Sequence, residues 1–142
     1  MERSLTVLLP VHNAQATLAM TVADMLELIS EMSDRFELII VDDGSDDATC
    51  EVADELAYRY PQIRAVRHGQ PLGRDEAIRT GLRHGTGQWV VLGDELGELP
   101  GSGRPSRRGW RMLDRRIVEN LHEHQPQRPN YLSRLRQFAL GE

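Results

Sequence analysis

The chain of 142 residues contains no lysine: all 17 of its basic residues are arginine. That excludes a P-loop, whose lysine reaches the phosphates, and a lysine Schiff base. It also excludes a phosphoacceptor receiver, which needs a lysine across from its paired acids. A single cysteine, Cys50, cannot form an internal disulfide, and with no paired base or metal cluster beside it, it reads as a small helix-face residue. No apolar run approaches the ~20 residues needed to cross a bilayer. The start, MERSLTVLLPVHN, sets an acid and a proline where a secretory signal needs a basic start and an unbroken apolar core, so a cytoplasmic location is expected. The glycine fingerprint of a dinucleotide-binding domain is missing too, because PVHNAQ follows the first apolar run.

A hydrophobic content of 39% and a charged content of 27% are ordinary for a folded domain, and the length suits a single core. Charge is unevenly spread. Residues 1–96 carry 8 arginines against 17 acids, a balance of −9, and residues 97–142 carry 9 against 5, a balance of +4. This shift marks an expected boundary between a folded unit, 1–96, and a Gly/Pro/Arg-rich linker with a C-terminal helical segment, 97–142.

The run SLTVLLP at 4–10 reads as a buried strand ended by proline. A helix is expected from residue 13 or 14 to 32, with Leu18, Val22, Met25, Leu26 and Ile29 on one face. A second strand follows at 36–41, then a helix capped by Ser45 or Asp46 and ended by Pro61. Further strands are expected at 63–66 and 89–92, with a helix at 73–84 between them. Helices are also expected at 110–122 and 131–140. Strands alternating with helices imply an α/β class: an open, mainly parallel sheet with helices on both faces. Ligands of such sheets bind beyond the carboxyl ends of the strands, where strand order reverses.

The stretch FELIIVDDGSDDATC poses the sharpest question, since it ends a buried strand in two adjacent aspartates. Placed at a strand end, Asp42 and Asp43 lie at the floor of a crevice rather than within the core. One carboxylate can be satisfied by N–H groups of the turn through Gly44 or by the next helix, and the other can accept from a ligand. Capping of the turn by both is an equally valid reading of the pattern. Asp46, Asp47 and Glu51 read as solvated residues at a helix start.

LTVLLPVHNAQATL followed by FELIIVDDGSDDAT resembles the opening of the family 2 glycosyltransferases of GT-A fold, with His12 in place of the family's aromatic. AIRTGLRHGTGQWVVLGDE is similar to the family's third segment, which leads into the strand bearing a metal-binding Asp-x-Asp. The resemblance covers residues 4–96 and implies a shortened GT-A domain that binds a nucleotide-diphosphate sugar of UDP or GDP type. It implies that Pro10 and Asn13 line the nucleotide pocket, that Asp43 accepts from the base and that Asp42 holds the turn. Arg74 or Arg79 could face the diphosphate, though an arginine on an exposed helix is more often solvated. Asp94 matches the first acid of the Asp-x-Asp, and Glu95 or Glu98 could supply the further carboxylate for Mg²⁺ or Mn²⁺, with Glu98, among residues of turn type, reading more readily as solvated.

The chain departs from the family at several points. Leu96 stands where the second metal-binding acid is expected, and Pro71-Leu72-Gly73-Arg74-Asp75 replaces the usual Asn-x-Gly-x-Gly. Residues 97–142 show no general base, so no catalytic residue is assigned, and a non-catalytic GT-A-derived binding or interaction module is the alternative function. The arginine-rich arm around Trp110 is expected to pack as a helix on the sheet rather than contact a membrane or nucleic acid. Either this arm or a homodimer contact is expected to cover the open sheet.

Overall fold

The computed structural model describes residues 4–93, 97–98, 105–106 and 112–124. Four parallel strands, β1 (Ser4–Val11), β2 (Arg35–Asp42), β3 (Ile63–Arg67) and β4 (Trp89–Leu92), alternate with helices α1 (Leu18–Met32), α2 (Thr49–Arg59) and α3 (Arg74–His84). A short pair follows, β5 (Gly97–Glu98) antiparallel to β6 (Pro105–Ser106), then strand β7 (Leu113–Asp114) and helix α4 (Arg115–His124). The main sheet has the order β3-β2-β1-β4-β7, with β7 antiparallel to β4. Order reverses at β1, whose neighbours are β2 and β4, so the position at which open α/β sheets bind ligands lies at the carboxyl ends of these strands.

Alternation along the strands sorts the core into two halves. Leu5, Val7, Leu9, Leu38, Ile40 and Val91 pack with Leu18, Val22, Met25 and Ile29 of α1 and with Ala53 and Leu56 of α2. Leu8, Ile39, Val41, Val90 and Leu92 turn to the opposite face and meet Ala77, Ile78 and Leu82 of α3, Leu113 of β7 and Val118 of α4. Each fully buried Leu or Ile contributes about 1.5–3 kcal/mol relative to exposure. Pro10 lies two residues past the last rung that β1 shares with β4, where a missing N–H costs no ladder bond on that side.

Several boundaries differ from the sequence reading. Helix α1 begins at Leu18 rather than at 13 or 14, because Asn13 adopts φ 51° and residues 15–17 form a turn. Helix α2 begins at Thr49, because Ser45 is engaged elsewhere and cannot cap it. The helix expected at 110–122 is preceded by a strand, since Leu113 and Asp114 pair with Val90 and Trp89. The helix expected at 131–140 lies outside the described residues.

Arg115 fastens this added strand and helix to the sheet. Its guanidinium donates to Thr6 Oγ1 at 3.0 Å, Gly87 O at 2.5 Å and Leu82 O at 3.1 Å, and pairs loosely with Glu119 at 3.5 Å. Thr6 is fully buried and also accepts from Gly87 N at 2.8 Å. Replacing Arg115 with Ala is expected to destabilise the fold by about 2–3 kcal/mol, because charged hydrogen bonds are lost and buried carbonyls are left unpaired. Replacing the neighbouring Arg116, whose exposed side chain meets Asp114 alone among the described residues, should leave the urea midpoint unchanged. Equal midpoints for the two variants would contradict this assignment.

Candidate nucleotide site

Three loops meet at the carboxyl ends of β1, β2 and β3. They are residues 12–17, 43–48 and 68–73, and the first two are joined by two parallel relays. In the first, Asn13 N donates to Ser45 Oγ at 2.8 Å and the Ser45 hydroxyl donates to Asp42 Oδ1 at 2.5 Å. In the second, Ala14 N donates to Thr49 Oγ1 at 2.8 Å and the Thr49 hydroxyl donates to Asp47 Oδ1. Each relay has the order amide, hydroxyl, carboxylate, so the charge at its end strengthens the bond that crosses between loops. Asn13 Oδ1 adds a return bond from Asp46 N at 2.9 Å, and Gln15 Oε1 accepts from Ala48 N at 3.0 Å. His12 Nδ1 donates to Asp43 O at 2.9 Å.

Asp47 is therefore not merely a solvated acid at a helix start. It accepts from Thr49 N and Gln15 N as well as from the Thr49 hydroxyl. The Thr49 hydroxyl bond is the main reason its carboxyl sits below the usual range.

The two central aspartates divide their tasks. Asp42 is 1% exposed and takes Ser45 N and Oγ on Oδ1, while Oδ2 is buried with no hydrogen-bond partner among the described residues. Asp43 points to the third loop. Its Oδ1 accepts from His68 Nδ1 and Leu72 N, both at 2.8 Å, and its Oδ2 accepts from Gly73 N at 2.9 Å. Burial pushes the Asp43 carboxyl up, but the bonds from His68, Leu72 and Gly73 outweigh it and hold the group below its ordinary value. A carboxylate oxygen offers two acceptor positions, so among the described residues Oδ1 is filled and Oδ2 keeps one.

His68 is buried, and its Nε2 meets Thr80 Oγ1 of α3 at 2.7 Å. With Nδ1 donating to Asp43, the neutral ring accepts from the Thr80 hydroxyl, which accepts in turn from Arg83 at 3.1 Å. His68, Thr80 and the amides of Leu72 and Gly73 were not legible as partners from composition or spacing. The signal that places His68 is register: Asp42 stands opposite Arg67, so the residues that follow each of them fall side by side.

Gly44 lets the third loop close over the second. Its φ is +65°, and a Cβ there would lie 2.4 Å from Gln70 C and Pro71 N. Arg74 is half-buried as the first residue of α3, directly after the Gly73 amide that binds Asp43. Pro10 closes the set on β1, in register with Val41. The proposed metal residues Asp94 and Glu95 lie outside the described residues. Among the described residues, no three His, Cys, Asp or Glu side chains gather as a metal site, and no helix is long and apolar enough to cross a membrane.

Two predictions follow from these contacts. Gly44→Ala should cost more than about 2 kcal/mol in urea unfolding, since it combines backbone strain with a clash against main chain. Asp43→Asn should be destabilised by about 1–3 kcal/mol at pH 7. A lowered folded pKa contributes stability above the unfolded value near 3.8 that is lost as pH falls through the folded value. The gap between wild type and Asp43→Asn should therefore close below about pH 4 and be constant above pH 5. A gap that does not change with pH would refute the assignment.

Residues 6–95 match the glycosyl transferase family 2 model. A dolichyl-phosphate beta-glucosyltransferase of Trichomonas vaginalis is 34% identical over 62 residues, which is 44% of this chain and 18% of that protein. The dolichyl-phosphate beta-glucosyltransferase of Saccharomyces cerevisiae is 28% identical over 99 residues, 66% of this chain and 30% of that one. Among solved structures, a mannosyltransferase of Pyrobaculum calidifontis in complex with GDP-Man and Mn²⁺ superposes with a TM-score of 0.55 at 26% identity. The overlap covers 64% of this chain and 27% of that one. The chain thus spans less than a third of the length of the curated relatives it matches. With a sheet of the GT-A kind and a family match over most of the described residues, this chain belongs to glycosyl transferase family 2.

Proposed function

We propose that this chain binds a nucleotide-diphosphate sugar, of UDP or GDP type, in the crevice at the carboxyl ends of β1 and β2, as part of a glycosyl-transfer reaction. The observation that carries this reading is the state of Asp43: an ionised carboxylate, fixed by three donors, with one acceptor position left on Oδ2. Such a group reads an N–H donor on a base edge, which uracil and guanine present, and a charge-assisted bond makes the contact strong. Asn13 and Pro10 line the same pocket in this reading, Asp42 holds the turn, and Arg74 faces the diphosphate from the start of α3, where the helix dipole also favours an anion. The P. calidifontis mannosyltransferase, solved with GDP-Man and Mn²⁺, supports this ligand class and a divalent metal.

The donor set for that metal is Asp94 and Glu95, whose hard oxygen ligands suit Mg²⁺ or Mn²⁺, while Leu96 offers none. When bound, the ion supplies charge neutralisation to the diphosphate leaving group. The protein's own share is to bind the base and hold the phosphates. The sugar and the acceptor are not assigned.

A second reading, a module that binds nucleotide without transferring a sugar, is favoured by Leu96 at the position of the second metal-binding acid. Calorimetric titration with UDP and GDP, with and without Mn²⁺, separates the two. Transfer chemistry predicts binding that Mn²⁺ strengthens, that Asp43→Ala weakens by about tenfold or more, and whose metal dependence vanishes in Asp94→Ala. Binding indifferent to metal in every variant would favour the module, and no binding of either nucleotide by folded protein would overturn both.

A further inference from the structure

We infer that His68 is a positioning residue that sets base preference, by keeping Asp43 an acceptor with a single open position. The inference rests on the nucleotide-binding reading above and deepens it.

The argument starts from hydrogen-bond capacity. Asp43 Oδ1 has two acceptor positions, and Leu72 N fills one of them. If the His68 Nδ1–H were absent, Leu72 N and Gly73 N would still hold the carboxylate plane, but Oδ1 would gain an open position and a ligand donor could be met on either oxygen, including an exocyclic amine offset from the ring N–H. With His68 in place at 2.8 Å, only Oδ2 remains, and Gly73 N fixes its plane. The ring is itself held from behind. The Asp43 carboxylate can only accept, so the Nδ1 proton is placed against it, and Thr80 Oγ1, 2.7 Å from Nε2 and itself accepting from Arg83 at 3.1 Å, holds the far side of the ring. The side chains of His68 and Asp43 are 8% and 12% exposed, so this orientation is shielded from competing water.

The consequence is chemical selectivity. An acceptor-only group with one open position favours a base that presents an N–H there, as uracil and guanine do. It leaves a buried lone pair unmatched against cytosine N3 or adenine N1, which are acceptors themselves. Rejection of this kind is strong because the mismatch leaves polar groups unpaired.

Two amide substitutions separate positioning from packing. In His68→Asn the amide nitrogen falls near the Nδ1 position and can still donate to Asp43, while Thr80 loses its partner. In His68→Gln the amide reaches toward Thr80 and the bond to Asp43 is lost. UDP, GDP, CDP and ADP are titrated into wild type and both variants, with urea midpoints measured in parallel. The expected result is that wild type prefers UDP or GDP, that His68→Asn retains affinity and preference within about threefold, and that His68→Gln loses about tenfold in affinity with a narrowed preference. Equal losses in the two variants, or no loss in either, would overturn the inference while leaving the nucleotide site intact. Absence of binding to all four nucleotides by folded wild type would instead overturn the nucleotide reading, and this inference with it. Nitrogen-15 spectra of wild-type His68 supply a readout that survives misfolding of a variant: a protonated Nδ1 and a bare Nε2 are expected, and the opposite tautomer refutes the assignment.

Discussion

The structure of this crevice depends on a hydroxyl placed between an amide and a carboxylate, used twice. Ser45 and Thr49 each receive a backbone N–H from the first loop and give their own proton to an aspartate. Without the hydroxyls, Asn13 N and Ala14 N would face carboxylates of their neighbouring loop with no atom to bridge the gap. With them, the reversal after β1 is locked to the reversal after β2, and Asn13 can be held in the left-handed region that a β-sheet exit otherwise avoids. The spacing of Asp42, Ser45, Asp47 and Thr49 along the chain is the spacing these two relays require.

The adjacent aspartates are tolerated for the same reason. Asp42 is directed back toward its own turn and Asp43 outward to the third loop, so the two charges are solvated by different donors. Asp42 still carries one buried oxygen without a partner among the described residues, a destabilising feature that the surrounding packed strands must offset. Strain and an orphaned acceptor gathered at the mouth of a sheet are more characteristic of a binding crevice than of a scaffold.

Much of this was legible in the sequence. The strand–helix alternation, the parallel sheet and the position of Asp42 and Asp43 at a strand end follow from periodicity and turn chemistry, while the role of Asn13 came only from the family resemblance. Helix starts were less legible, because a side chain that can cap a helix can also reach across to another loop: Ser45 and Asn13 do the latter. Strand β7 was hidden because two residues, Leu113 and Asp114, carry no periodicity, and their pairing is decided by the open edge of β4. The partners of Asp43 were hidden because two of them are main-chain amides, which every sequence has.

The position of β1 has a kinetic meaning. It precedes β2, β3 and β4 along the chain and is the central strand of the sheet, with β2 on one side and β4 on the other. Its pairing with β2 closes a short loop, but its pairing of Leu5 with Trp89 and the bond of Thr6 to Arg115 join residues 84 and 109 positions apart. Such distant contacts form late and slowly. Until they do, the edge of β1 from Leu5 to Leu8 that faces β4 is unpaired. The centre of the sheet is thus closed by partners 84 and 109 positions away along the chain, and the two halves of the core on its faces depend on the same late contacts.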